Sequence, residues 1–137
     1  MLYHVPDISK ALSEIRRVLV PGSYLYAATN GSTHMRELYN LVRKYVKDYK
    51  NDSQQRFSLE NGRKQLEPFF EYIDLLKYHD SLVVNEPLPL INYIRSMIGL
   101  DKVSQNHLKQ IENYIYSSFD TDGEFYISKS GGLFKAY

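Results

Sequence analysis

Apolar and polar positions alternate along this chain with a period that changes several times, and each change marks an element. Ile8, Ala11, Leu12, Ile15, Val18 and Leu19 recur at helical spacing, with Glu14, Arg16 and Arg17 mostly on the other face. Asp7 is placed to cap that helix, and Pro21-Gly22 stops it. Tyr24 to Thr29 is a short, nearly continuous apolar run, which predicts a strand buried on both faces. Asn30-Gly31-Ser32-Thr33 breaks it and offers a cap for a second helix carrying Met35, Leu38, Leu41, Val42, Tyr45, Val46 and Tyr49. A polar loop is expected at Asn51 to Gln55. A short third helix follows, opening at Phe57 with Ser58 as its cap and reaching about Glu67.

Tyr72 to Tyr78 reads as a strand that Ser81 to Val84 extends. Pro87 and Pro89 suit the first turn of a fourth helix, with Leu90, Ile91, Tyr93, Ile94, Met97 and Ile98 as its apolar positions and Gly99 as its end. A fifth helix starts near Ser104 and sets Leu108, Ile111, Ile115 and Phe119 on one face, before a turn at Asp120 to Gly123. Glu124 to Lys129 and Leu133 to Tyr137 are strand-like. The Ser130-Gly131-Gly132 join allows either one kinked strand or a hairpin. The alternation of helix and strand, closed by this paired finish, is an α/β pattern in one domain spanning 1–137.

Composition narrows the function classes. The chain has 137 residues, 43% hydrophobic and 24% charged, so wholesale disorder is excluded. It contains no run of eighteen uncharged apolar residues, so no membrane-spanning helix is expected. Met1 to Asp7 lacks the basic start and apolar core of a secretory signal, and none is expected there. There is no cysteine, which excludes a disulfide scaffold, a thiolate metal site and a thiol nucleophile, and suits a cytoplasmic protein. A net charge of +1 gives little surplus to neutralise phosphates, so a nucleic-acid partner is not expected.

Most searches for chemistry return nothing. No glycine-rich phosphate loop is present. His4, His34, His79 and His107 are scattered without ligand spacing, so no metal is expected. Arg43, Lys44, Lys47 and Lys50 could grip a phosphate; the solvated face of an amphipathic helix explains them more simply. The thirteen tyrosines could line an aromatic pocket, but half-buried core positions with a wet hydroxyl are the more ordinary use.

One block is distinctive. Met1-Leu2-Tyr3-His4-Val5-Pro6-Asp7 leads into Ala11-Leu12-Ser13-Glu14-Ile15-Arg16-Arg17-Val18-Leu19-Val20-Pro21-Gly22 and then the strand from Tyr24 to Thr29. This resembles the class I S-adenosylmethionine-dependent methyltransferases, in which a strand, a helix ending in Pro-Gly and an apolar strand occur in that order. Ser23 departs from the family, which usually has a second glycine there. Phe57 to Gly62, Asp80 to Val84 and Phe125 to Phe134 resemble later segments of small bacterial members.

The resemblance implies a partial Rossmann-like methyltransferase fold: a mixed sheet with helices flanking it. Strands at 24–29, 72–84 and 124–136 are expected, the last antiparallel between the other two. It covers only the C-terminal half of such a domain. The half with the glycine-rich cofactor loop has no counterpart in these residues, so the chain is expected to be a truncated domain. S-adenosylmethionine is the cofactor the resemblance implies, with weak or no binding by this chain alone and no assignable cofactor-binding residues. Ligands of open α/β sheets sit at the carboxyl ends of the strands. The resemblance therefore nominates Tyr3, His4, Val5, Asn30 and Gly31 for the pocket of a small-molecule substrate. His4 is the catalytic candidate, as substrate contact or general base. It could equally cap or pack at a strand end. The rival expectation is a non-catalytic binding or assembly module, because 24–29 would present an open strand edge through which copies could associate.

Overall fold

The computed structural model describes residues 2–47, 49, 56–98 and 103–137. The expected loop at Asn51 to Gln55, the end of the fourth helix at Gly99, and Lys50 lie outside the described residues. Leu2–His4 forms one 3-10 turn. Then come α1 (Ile8–Val18), β1 (Leu25–Asn30), α2 (Arg36–Tyr45), α3 (Gly62–Leu66), β2 (Ile73–Val84), α4 (Pro87–Ile98), α5 (Gln105–Asp122) and β3 (Phe125–Ala136).

The strand order is β1-β3-β2, so the last strand lies between the other two, as expected. β3 is a single strand with no hairpin at Gly131-Gly132. It runs antiparallel to β1 in an unbroken register from Leu25 opposite Ala136 to Asn30 opposite Gly131. On its other side Tyr72 and Tyr137 exchange both backbone hydrogen bonds, at 3.1 and 3.0 Å, the signature of an antiparallel pair.

Contacts divide the chain into two compact units. The first comprises Met1–His34, Asn51–Asp80 and Ser130–Tyr137. Its core holds Leu12, Ala27, Phe57, Leu66, Phe70, Ile73, Phe134 and Ala136. Asp7 caps α1 by accepting the Lys10 N–H at 2.9 Å, which turns Leu12 inward and leaves Arg16 and Arg17 outside. Gly62 is needed where α3 meets the sheet: a Cβ there would stand 2.5 Å from the Phe134 ring.

The second unit comprises Met35–Lys50 and Ser81–Lys129. Here α4 and α2 both pack on α5 around Leu38, Val42, Leu90, Ile94, Leu108, Ile111 and Ile115. Ser104 caps α5 through the His107 N–H. The helix runs to Asp122, through the expected turn, and ends where Gly123 adopts φ 74°. Arg95 on α4 pairs with Glu112 on α5 at 2.6 Å. Arg43 lies 5.8 Å from the ring of buried Tyr39 and Lys44 lies 4.6 Å from that of exposed Tyr114, so two members of the basic run lie over tyrosine rings. No helix among the described residues is long and apolar enough to cross a membrane.

Four local expectations are corrected. β1 is not buried on both faces: Ala27 and Thr29 point inward, while Tyr26 is 56% exposed and Ala28 is exposed too. Tyr26 meets only its strand neighbour Tyr24 among the aromatic contacts of the described residues. Second, α2 is not capped by the Asn30 to Thr33 stretch. Its N-cap position is Met35, in the left-handed region at φ 56°, with its N–H held by the Ser128 carbonyl at 2.8 Å. Third, α3 starts at Gly62, because Ser58 takes part in the turn before it, where its carbonyl accepts the Gly62 N–H. Fourth, nine of the thirteen tyrosines are exposed rather than half-buried in the core. Several line the open sheet face, where Tyr24 meets Tyr137 edge-on, Tyr137 stacks on Tyr72, and the Lys135 ammonium sits 4.1 Å from the Tyr24 ring.

Glu37, in the first turn of α2, ties that helix to β3. Its carboxylate accepts the Ser128 N–H at 2.8 Å and the Ser128 hydroxyl, with the Arg36 guanidinium at 3.0 Å. Burial alone would raise its pKa, but these hydrogen bonds prevail and hold it at about 2. A depressed folded-state value adds stability that is fully present above the ordinary value of 4.5 and fades as pH falls toward 2. Glu37→Gln should therefore cost about 1–3 kcal/mol at neutral pH. Chemical unfolding of both proteins at pH 7 and pH 3 checks this: the gap between them should narrow at the lower pH.

Candidate functional site

The richest convergence of polar groups in the first unit is at the carboxyl end of β1. Beyond Asn30 the chain turns sharply, and backbone hydrogen bonds hold the turn. The Asn30 carbonyl accepts the Leu59 N–H at 3.1 Å, the Gly31 N–H donates to the Ser130 carbonyl at 3.0 Å, and the His34 N–H returns to the Gly31 carbonyl at 3.1 Å. One residue earlier, the buried Thr29 hydroxyl donates to the Phe57 carbonyl at 2.7 Å.

Glu60 braces this turn from the side. Its Oε1 accepts both the N–H and the hydroxyl of Ser32, at 2.9 and 3.0 Å. Burial pushes its pKa up, but the hydrogen bonds from Ser32 and Ser58 outweigh it, and the net direction is down. His34 is fixed from the strand side: the Ser130 N–H donates to its Nδ1 at 3.1 Å. A ring nitrogen that accepts an N–H carries no proton, so neutral His34 has its proton on Nε2. In this tautomer His34 is a hydrogen-bond donor through Nε2.

Beside the turn lies a hollow of about 610 Å³, lined by Tyr3, Ala28, Thr29, Asn30, Leu76–Tyr78 and Gly131–Leu133. Ala28 and Gly131 are among the smallest residues available, and they leave the sheet open there. The lining is mostly apolar, with Tyr3, Tyr78, Thr29, the Asn30 amide and the Lys77 ammonium among its polar groups.

The structure distributes the nominated residues unevenly. Tyr3 and Asn30 both line the hollow. His4 is exposed, its ring 4.5 Å from that of Tyr3. The Val5 carbonyl accepts the Arg56 guanidinium at 2.8 Å, as does that of Pro6, which anchors the segment before α1. Gly31 is buried and faces Ser130, Glu60 and Leu59 rather than open space. Sequence reasoning did not nominate His34, Glu60 or Arg56. His34 could have been found from its place just after a strand end. Glu60 and Arg56 carry no local signal, because their partners are 28 and about 50 residues away. Among the described residues, no group of three His, Asp or Glu side chains is placed to hold a metal ion.

Neither a protein-family model nor a curated protein sequence matches the chain. Among solved structures, it is similar to a Bacillus halodurans C-125 protein described as a "putative methyltransferase". That match has a TM-score of 0.56 and 21% identity, and covers 98% of this chain and 59% of the other. A phosphoethanolamine N-methyltransferase 2 of Haemonchus contortus, in complex with phosphomonomethylethanolamine and S-adenosylhomocysteine, matches over 98% of this chain and 31% of its own. The TM-score is 0.42 and the identity 20%. The Bacillus likeness establishes the fold: the chain has a methyltransferase-type α/β fold, as its sequence led one to expect. It spans less than two thirds of that protein's length.

A Cβ at position 31 would lie 2.7 Å from the Ser130 hydroxyl and 3.2 Å from Glu60 Oε1. Gly31→Ala should therefore push the turn away from β3 and cost about 1–3 kcal/mol. Thermal unfolding measures the loss. Amide exchange should locate it at Ser32 and Ser130, and unchanged protection there would contradict the packing argument.

Proposed function

We propose that this chain is the C-terminal, substrate-side part of an S-adenosylmethionine-dependent methyltransferase that acts on a small molecule. The observation that carries the reading is the methyltransferase fold over 98% of the chain, with an open hollow beside the carboxyl end of β1. Methyl transfer needs alignment of acceptor, methyl group and sulfonium more than it needs an acid–base pair. A mostly apolar hollow with a few fixed hydrogen-bonding groups supports that kind of chemistry. The acceptor would rest against Tyr3 and Asn30. His4, beside Tyr3, is the group of this reading that contacts the acceptor or takes its proton.

Cofactor binding is assigned elsewhere in this reading. The 137 residues contain no glycine-rich phosphate loop, so the methionine and ribose of the cofactor have no evident cradle here. Isothermal titration of the chain with S-adenosylmethionine should show no binding in the micromolar range, weaker than about −8 kcal/mol. A chimera in which the Bacillus halodurans protein supplies the remaining part of the domain should bind S-adenosylhomocysteine. A folded chimera that does not would overturn the methyltransferase reading. In that chimera His4→Ala should slow methyl transfer by about 100-fold while leaving cofactor affinity unchanged. Rates equal to the parent's would remove His4 from the chemistry.

A further inference from the structure

The second unit holds a hollow of its own, of about 350 Å³, lined by α2, α5 and the start of β3. It shares no lining residue with the hollow beside β1. α2 supplies the polar wall. Glu37, Asn40, Leu41 and Lys44 recur at spacings of three and four, so they form one stripe of the helix. Asn40 and Lys44 stand one turn apart on it. Tyr114 of α5 and Phe125 and Tyr126 of β3 supply an aromatic wall.

The two charges of the stripe are in different states. Glu37 is already engaged: Arg36 and the Ser128 hydroxyl donate to its Oε1, and the Ser128 N–H donates to its Oε2. Three of its roughly four acceptor positions are taken, and Arg36 offsets its charge. Lys44 differs. No carboxylate of the described residues pairs with it. Its ammonium rests on two rings, 4.6 Å from the centroid of Tyr114 and 5.7 Å from that of Tyr45. Those rings stand 6.4 Å apart and are tilted by 60°. Ring faces attract the cation and hold it in place, but they leave its N–H donors for stronger acceptors. Arg95, the cation at another hollow of this unit, shows the contrast, because Glu112 takes it at 2.6 and 2.9 Å.

An anion entering the α2–α5 hollow therefore meets a positioned ammonium, an amide one turn away and an aromatic surface beside them. Two donors at that spacing can each take one oxygen of a carboxylate, and the ammonium makes its bond a charge-assisted one. We propose that this hollow is a binding site for a small aromatic carboxylate, with its anion on Lys44 and Asn40 and its ring against the aromatic wall. The stripe also sets the direction of binding. Glu37 lies seven residues before Lys44, roughly 10 Å along the helix axis, so the carboxylate is held at the Lys44 end, away from the like charge. The basic residue that the sequence alone explains as part of a solvated face becomes the anchor of the site. No step of methyl transfer enters here, so this site and the methyltransferase reading stand or fall separately.

Titration of the isotope-labelled 137-residue chain with naphthoate, followed by NMR, tests this without any cofactor. Amide signals of Asn40, Lys44, Tyr114 and Tyr126 should shift together, with a dissociation constant of about 1 mM or below. The neutral naphthamide should bind at least about tenfold more weakly, since it lacks the charge-assisted bond. Lys44 is exposed, so its variants should fold. Lys44→Met should weaken naphthoate by a similar factor, while Lys44→Arg, which keeps the cation, should retain most of the affinity. Binding that is equal for naphthamide, stronger for the cationic naphthylmethylamine, or unchanged in Lys44→Met overturns the proposal. So do shifts confined to Tyr3 and Asn30, or the lack of any saturable shift up to about 10 mM.

Discussion

Pairing of the last strand with the first is the constraint on which the first unit depends. β3 comes at the end of the chain, yet it supplies the ladder partners of every residue of β1. Those contacts span about a hundred residues of sequence, so their loop-closure entropy must be offset by burial elsewhere. The burial comes from the side chains that the register turns inward. Ala27, Phe134 and Ala136 lie on the core face with Phe57, Leu66 and Ile73. A one-residue slip between the two strands would turn one of them over, sending either Ala27 or Phe134 and Ala136 to the open face and bringing Tyr26 or Lys135 inward. The aromatic row on that face reinforces the same register, because Tyr24, Tyr137 and Lys135 meet only when Leu25 stands opposite Ala136.

The same strand also organises polar groups. Ser130 serves the turn after β1 with both backbone atoms, its carbonyl holding Gly31 and its N–H holding His34. In the second unit Ser128 does the corresponding work for α2, its carbonyl taking the Met35 N–H while its own N–H and hydroxyl go to Glu37. That arrangement accounts for the left-handed backbone at Met35. A non-glycine residue at φ 56° costs roughly 1–2 kcal/mol. The strain is held in place by the strand carbonyl on one side and a charge-assisted carboxylate contact on the other.

These dependences explain what was legible in the sequence. α1, β1, β2, α4 and the start of α5 follow from local periodicity, caps and prolines, and those signals act over a few residues. The order of the strands was readable only through the family resemblance, because no local pattern says which strand pairs with which. The start of α2 was misread because Asn30 to Thr33 looks like a cap in isolation. In the fold Ser32 is committed to Glu60, 28 residues away. Ser58 was likewise misread as the cap of α3. The tyrosines misled for a related reason: their placement depends on whether a sheet face is covered, and that is a property of what packs on the sheet rather than of the strand's own residues.

The candidate site was legible in part for the same reason. Tyr3 and Asn30 could be nominated because strand ends in α/β sheets collect ligands whatever the local sequence. His34 and Glu60 could not be ranked, since what distinguishes them is a hydrogen bond to a distant backbone or hydroxyl. A histidine acquires a definite chemical role only when one ring nitrogen is committed. Here the Ser130 N–H commits Nδ1, and the proton must sit on Nε2. The fixed donor at His34 and the exposed imidazole of His4 are thus unlike groups at one end of the sheet. The first is built into the turn by the ladder. The second is exposed, with its ring beside that of Tyr3.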